Sequence, residues 1–210
     1  MIKLPFDKCY CLHLAESTDR YDNLINEFNK LGITDQVNIW WTCKRDISDR
    51  IGDSLETLHS NDYDYFRKNN PHVYGNVFNC SFEHYTIVKQ AYLRGFNSIL
   101  VFEDDFYFNE NVDFEKLFNE VPKDFDVIRY YMHPAYNGYN SDPEFAKCPD
   151  YSYVKTRNIV SGTNMYALSR KGMEWYISCM DNEFGYADKP YIYINTTDPD
   201  RTLNQYIVKH

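Results

Sequence analysis

Short apolar runs alternate with amphipathic stretches through the first 130 residues, and such a chain must lay helices over both faces of a sheet. The run "SILVF" (98–102) sets the strictest limit. Side chains alternate across a strand, so an apolar run with no polar interruption is a central strand covered on both sides. "KCYCLHL" (8–14) and "VNIWWTC" (37–43) are the strands that precede it. Between those two, Ser17 or Thr18 caps a helix with Asp19 and Asp22 in its first turn, which suits the helix dipole. Its apolar face is Leu24, Ile25, Phe28 and Leu31, and Gly32 ends it. The polar segment from Lys44 to His72 reads as loop with a broken helix. Ser81 then caps a second helix, with Glu83 and His84 in its first turn and Ile87, Val88, Ala91 and Tyr92 on its buried side. Gly95 is the stop.

Beyond the central strand, a helix around 112–119 is capped by Asn111 and buried through Phe114, Leu117 and Phe118, and "DVIRYYM" (126–132) is the next strand. Residues 133–158 are rich in Pro, Gly, Asn and Asp and too long for an ordinary connection, which predicts an irregular loop, functional or disordered. "TNMYALS" (163–169) reads as a strand running into a helix capped by Ser169. Asp188 precedes a final short strand at Tyr191–Ile194. With no repeat, linker or low-complexity tract, the 210 residues read as one domain.

The net charge of -9, with no cluster of basic residues, excludes a nucleic-acid backbone and an anionic membrane surface as partners. No apolar run approaches the roughly 18 residues of a transmembrane helix. The amino end carries Asp7 and His13 where a signal peptide needs an apolar core, so the expected compartment is cytoplasmic. The six Cys show no C-x-x-C and read as free thiols, including the pair Cys9 and Cys11 that shares a strand face with His13.

Three adjacent acids, Glu103, Asp104 and Asp105, stand directly behind the central apolar run. Their mutual repulsion disfavours that placement unless something positive sits among them. Ligands of α/β sheets gather outside the carboxyl ends of the strands, where these acids lie. In an extended chain Glu103 and Asp105 point to one side and Asp104 to the other. Two carboxylates on one side suit a hard divalent cation, Mg²⁺ or Mn²⁺. Zinc patterns such as H-E-x-x-H, a thiolate pair or a histidine cluster do not occur, nor do a P-loop, G-x-G-x-x-G or G-x-S-x-G.

Four blocks together resemble glycosyltransferase family 25, the lipopolysaccharide and collagen hydroxylysine galactosyltransferases. They are "CLHLAESTDRYDNLINEFNKLGI", "NCSFEHYTIVKQAYLRGFNSILVFEDDFYF", "VSGTNMYALSRKGMEWYI" and, more weakly, "EFGYADKPYIY". The opening strand departs from the family habit, with Cys and His where Ile-Asn is common and Ala15-Glu16 in place of Asp-Arg. The resemblance implies a GT-A-type nucleotide-sugar-binding fold, with a central mixed sheet flanked by helices. It also implies inverting transfer of a hexose, galactose or glucose, from a nucleoside-diphosphate donor such as a UDP-hexose. The acceptor would be a hydroxyl of a glycan, glycolipid or hydroxylated protein.

Asp105 would bind the cation, Glu103 would hold metal-bound water or the ribose, and Asp104 would orient the site. Arg20, at a helix start, would face the donor phosphates or base. The resemblance places Ser81 and His84 near the donor or its sugar, while Gly162 and Thr163 would bring backbone and a hydroxyl close to the ligand. Asp188 would be the general base. The 133–158 loop, through Tyr136, Tyr139, Tyr151 and Tyr153, would form an acceptor-side wall or lid. The same carboxylates could also serve a sugar nucleotidyltransferase, a metal-dependent phosphohydrolase or a non-catalytic sugar-nucleotide-binding scaffold.

Overall fold

The computed structural model describes residues 2–43, 71–130, 152–155, 162–182, 187, 189–192, 198–200 and 202–209. Strands β1 (Lys8–Leu14), β2 (Val37–Thr42), β3 (Ser98–Glu103), β4 (Val127–Arg129), β5 (Ser152–Lys155), β6 (Met165–Ser169) and β7 (Gln205–Lys209) form one sheet, ordered β2-β1-β3-β6-β4-β7-β5. β1 is parallel to β2 and β3, and β4 is parallel to β7. β6 runs antiparallel between β3 and β4, and β5 antiparallel to β7. The carboxyl ends of β1, β2, β3 and β4 therefore share one edge with the amino end of β6. This is the expected α/β architecture, a central mixed sheet flanked by helices, as a GT-A-type fold requires.

Alternation along the strands sorts two cores. Cys9, Cys11, Leu100, Phe102, Met165 and Ala167 face α1 (Thr18–Leu31), through Leu24 and Phe28, and the short α3 (Phe114–Asn119), through Leu117 and Phe118. Tyr10, Leu12, Ile99, Val101, Tyr166 and Leu168 face α2 (Pro71–Leu93) and α4 (Arg170–Asn182), through Ile87, Val88, Ala91, Met173, Tyr176 and Met180. All four apolar residues of β3 from Ile99 to Phe102 are fully buried. Their burial contributes about 1.5–3 kcal/mol each, an upper figure, which anchors the strand that carries the acids. The core can thus hold the acids in place. Among the described residues no helix is long and apolar enough to cross a membrane. Cys9, Cys11, Cys43, Cys80 and Cys179 are free thiols. Burial pushes Cys9 up to about 12 and Cys11 well above the ordinary thiol range.

Several local expectations are corrected. Ser81 is not a cap: α2 begins ten residues earlier at Pro71, so Ser81 and His84 lie mid-helix. Proline suits a first helical turn, and no breaker stronger than Gly75 separates it from Ser81. α3 is capped by Asp113, which accepts from the Lys116 amide at 2.9 Å, rather than by Asn111. Within the 133–158 loop, Ser152–Lys155 is strand β5, and the rest lies outside the described residues. Tyr153 there donates to the Leu117 carbonyl at 2.9 Å and stands against Tyr130, which makes it part of the scaffold. The final strand expected at Tyr191–Ile194 is a single helical turn where described, α5 (Lys189–Ile192). Pro190 favours that turn, Tyr191 packs on Tyr166 and Tyr176, and β7 takes the place beside β4. The reading of 44–70 as loop lies outside the described residues.

Candidate active site

The three acids line one open pocket of about 380 Å³ with Leu12, Leu14, Ser17, Arg20, Thr42, Cys43, Asn79, Cys80 and Glu83. β1 and β2 supply its floor, the start of α1 one lip and α2 the other. β3 ends at Glu103, and its pleat sends neighbouring carboxylates to different partners.

Glu103 turns toward α2. Its Oε1 stands 3.0 Å from Nε2 of His84 and also accepts from the Thr163 hydroxyl. Burial pushes this carboxyl up, but the His84 bond and charge, the Thr163 bond and the Arg129 charge bring it below its ordinary value. His84 is fully buried, with Nδ1 3.0 Å from the Tyr166 hydroxyl. Burial pulls the imidazole down, yet the Cys80 thiol and the Glu103 carboxylate outweigh it and hold the ring up at about 10.

Asp104 turns the other way, toward α1. It accepts from His13 Nδ1 at 2.7 Å, the Leu14 amide at 3.2 Å and Arg20 Nη1 at 3.0 Å. These bonds tie β3 to the end of β1 and to the first turn of α1. Arg20, its side chain half exposed, is thereby fixed at the pocket lip, 3.9 Å from Asp105. Asp105 is the acid left toward solvent, at 46% side-chain exposure, and takes one bond from Asn164 Nδ2 at 2.9 Å. Burial and the Glu103 charge raise its carboxyl above its ordinary value, with Arg20 offsetting part of this.

Gly162 has φ +102, a conformation that side chains with a Cβ rarely adopt, and it delivers Thr163 onto Glu103. The pocket therefore gathers Arg20, Glu103, Asp104 and Asp105 directly, while His84 and Thr163 reach it through Glu103. Ser81 is buried in α2 and does not line the pocket, and Asp188 lies outside the described residues.

Sequence reasoning missed Cys80, Asn79, Glu83 and Asn164. Cys80 stands one helical turn before His84, a spacing that places both on one face of α2. It also missed Arg129, which is fully buried on the same sheet face as Glu103, with its guanidinium 4.1 Å over the Tyr191 ring. None of its three guanidinium nitrogens has a hydrogen-bond partner among the described residues. Its charge reaches Glu103 through a low-dielectric interior, where Coulomb interactions are stronger than in water.

Residues 6–188 match the family described as glycosyltransferase family 25 (LPS biosynthesis protein). No curated protein sequence matches the chain. A similar solved structure is described as "crystal structure of a glycosyltransferase involved in the glycosylation of the major capsid of PBCV-1". It shares 12% identity and a TM-score of 0.47, over 96% of this chain and 81% of that one. Because the family match runs from before β1, across the acid-lined pocket, to Asp188, the chain belongs to glycosyltransferase family 25.

Proposed function

We propose that the chain is an inverting, divalent-metal-dependent transferase that moves a hexose, galactose or glucose, from a UDP-sugar to a hydroxyl acceptor. The observation that carries this reading is the pairing, in one pocket, of a half-exposed carboxylate with a guanidinium anchored 3.9 Å away. A nucleotide sugar offers a diphosphate that needs both a cation site and a positively charged side chain.

The residues fit a hard cation. Burial first, and then the charges of Glu103 and Asp104, raise the Asp105 carboxyl despite the nearby Arg20, so a cation held there would meet negative charge that Arg20 offsets only in part. Asp105 would hold Mn²⁺ or Mg²⁺, with Glu103 holding its bound water or the ribose. When bound, the cation stabilises the charge that develops on the leaving diphosphate. Arg20 spends one nitrogen on Asp104 and can turn its remaining N–H groups to the phosphates. Asp104, with its oxygens committed, orients Arg20 and the end of β1. His84 and Thr163 hold Glu103 ionised and still. Gly162 lets the β6 approach come close to a ligand. Asp188 is proposed as the general base that takes the acceptor hydroxyl proton on the face opposite the diphosphate.

Thermal-shift titration against uridine and guanosine diphosphates, with and without Mn²⁺, tests the reading. A Mn²⁺-dependent shift with uridine diphosphate is expected. No shift with any nucleotide would favour a non-catalytic scaffold.

A further inference from the structure

The helix α2 and the end of β3 bring three chemically different ligand atoms together behind the hard-oxygen position. The Cys80 sulfur, a ring nitrogen of His84 and a Glu103 oxygen all lie within 4.8 Å of one another. Sequence spacing hides this group, because Glu103 comes nineteen residues after His84 and meets it only through the packing of α2 on the sheet. We propose that Cys80, His84 and Glu103 form a soft-metal site for Zn²⁺, adjacent to the position at Asp105 and sharing Glu103 with it. This does not depend on the transferase reading.

Four features support it. The donor set is right: sulfur and imidazole nitrogen prefer Zn²⁺ to Mg²⁺ or Mn²⁺. The ring is oriented from behind, with Nδ1 on the Tyr166 hydroxyl at 3.0 Å and Nε2 toward Glu103. Metal-bound histidines carry that outer hydrogen bond, which fixes the ring and its tautomer. The charges close, since a Cys80 thiolate and the Glu103 carboxylate neutralise Zn²⁺, and a neutral group is the least costly to bury. The site has an entrance, because Cys80 and Glu103 line the pocket while His84 is fully buried behind them.

With Zn–S about 2.3 Å and Zn–N about 2.0 Å, tetrahedral ligands sit about 3.5 Å apart. The His84–Glu103 separation of 3.0 Å is already near that spacing, and the Cys80 sulfur lies within 4.8 Å of both, so closing the site means bringing that sulfur in by ~1 Å at most. On binding, two protons leave to solvent, one from the Cys80 thiol and one from Nε2 of His84, so that the sulfur and the neutral ring each donate a lone pair to the metal. The other thiols are less suited: Cys9 and Cys11 are sealed under α1, and Cys43 is exposed.

The test uses the full chain, stripped with a chelator and titrated with Co²⁺ alone, followed by Zn²⁺. A thiolate-to-cobalt charge-transfer band is expected, rising to one equivalent and abolished by one equivalent of Zn²⁺. C80S should lose the band, whereas C43S and D105N should keep it. Circular dichroism of C80S confirms that loss of the band is not loss of fold. E103Q, which keeps the thiol, should weaken Co²⁺ binding at least tenfold, a second reading should C80S fail to fold. Absence of the band in the wild-type chain, or its persistence in folded C80S, would overturn the proposal.

Discussion

Asp104 Oδ2 accepts a hydrogen bond from Nδ1 of His13 at 2.7 Å, joining residues ninety-one positions apart at the ends of β3 and β1. His13 is buried and packs against the touching rings of Tyr21 and Trp41, so the bond is shielded from water. The same carboxylate holds Arg20, which makes it a mechanical link between the core and the pocket lip.

Asp104→Asn keeps the shape and removes the charge that takes these bonds. Hydrogen bonds to charged groups are worth about 1.5–3 kcal/mol each, but Asn keeps one acceptor oxygen and the Arg20 bond is half exposed, so a loss of roughly 2–3 kcal/mol is expected in urea unfolding. Affinity for uridine diphosphate should fall as well, because Arg20 is released. An unchanged unfolding midpoint would show that the link contributes nothing to stability.

Asp105 is costly to keep ionised. Its carboxyl is raised in the folded state, by burial first and then by Glu103, so the folded chain holds this proton more tightly than the unfolded one. Stability in the presence of a chelator should therefore decline as pH rises through the window just above the ordinary carboxylate range. Asp105→Asn should remove that decline and melt at or above the wild-type temperature near neutral pH. It should also abolish Mn²⁺-stimulated transfer. Full metal-stimulated activity in the variant would dismiss Asp105 as the cation ligand.

Gly172, in the first turn of α4, approaches the backbone of Asp126 so closely that a Cβ would stand 2.0 Å from its carbonyl oxygen. Asp126 cannot give way easily, since it accepts from the Ser169 hydroxyl and the Asn204 amide, both at 2.9 Å. Gly172→Ala should cost about 1–3 kcal/mol, the range of overpacking a tight interior, measured as a lower denaturation midpoint. A wild-type midpoint would mean that α4 shifts freely against β4.

Exchange of Asp188 for Asn tests the proposed base. Donor and metal binding should survive, while kcat falls by ~10²–10⁴, the usual contribution of a general base. An unaltered kcat would move that role to another group, and loss of the metal response would make Asp188 a ligand instead.

Local patterns in the sequence determined the elements whose signals are themselves local. β1 occupies 8–14 as its continuous run of buried residues implies, α1 ends at Gly32 in a left-handed turn, and the acids sit at the carboxyl end of a strand buried on both faces. Family membership was legible for the same reason, being carried by contiguous blocks. Asn111 and Asp113 are both short polar residues that can cap a helix, and only the chain's path selected the second. β7 and the edge strand β5 carry no local signature because their pairings are long-range, β5 meeting β7 across more than fifty residues and β7 meeting β4 across more than seventy. The insertion of β6 antiparallel between β3 and β4 likewise comes from pairing that no local period encodes. The division of labour among the acids was a tertiary decision too. The pleat separates Glu103 from Asp104, but which one meets His84, and which one His13 and Arg20, depended on where α2 and α1 pack. Long-range packing assigns partners to charges, and a linear pattern can only place the charges at an edge.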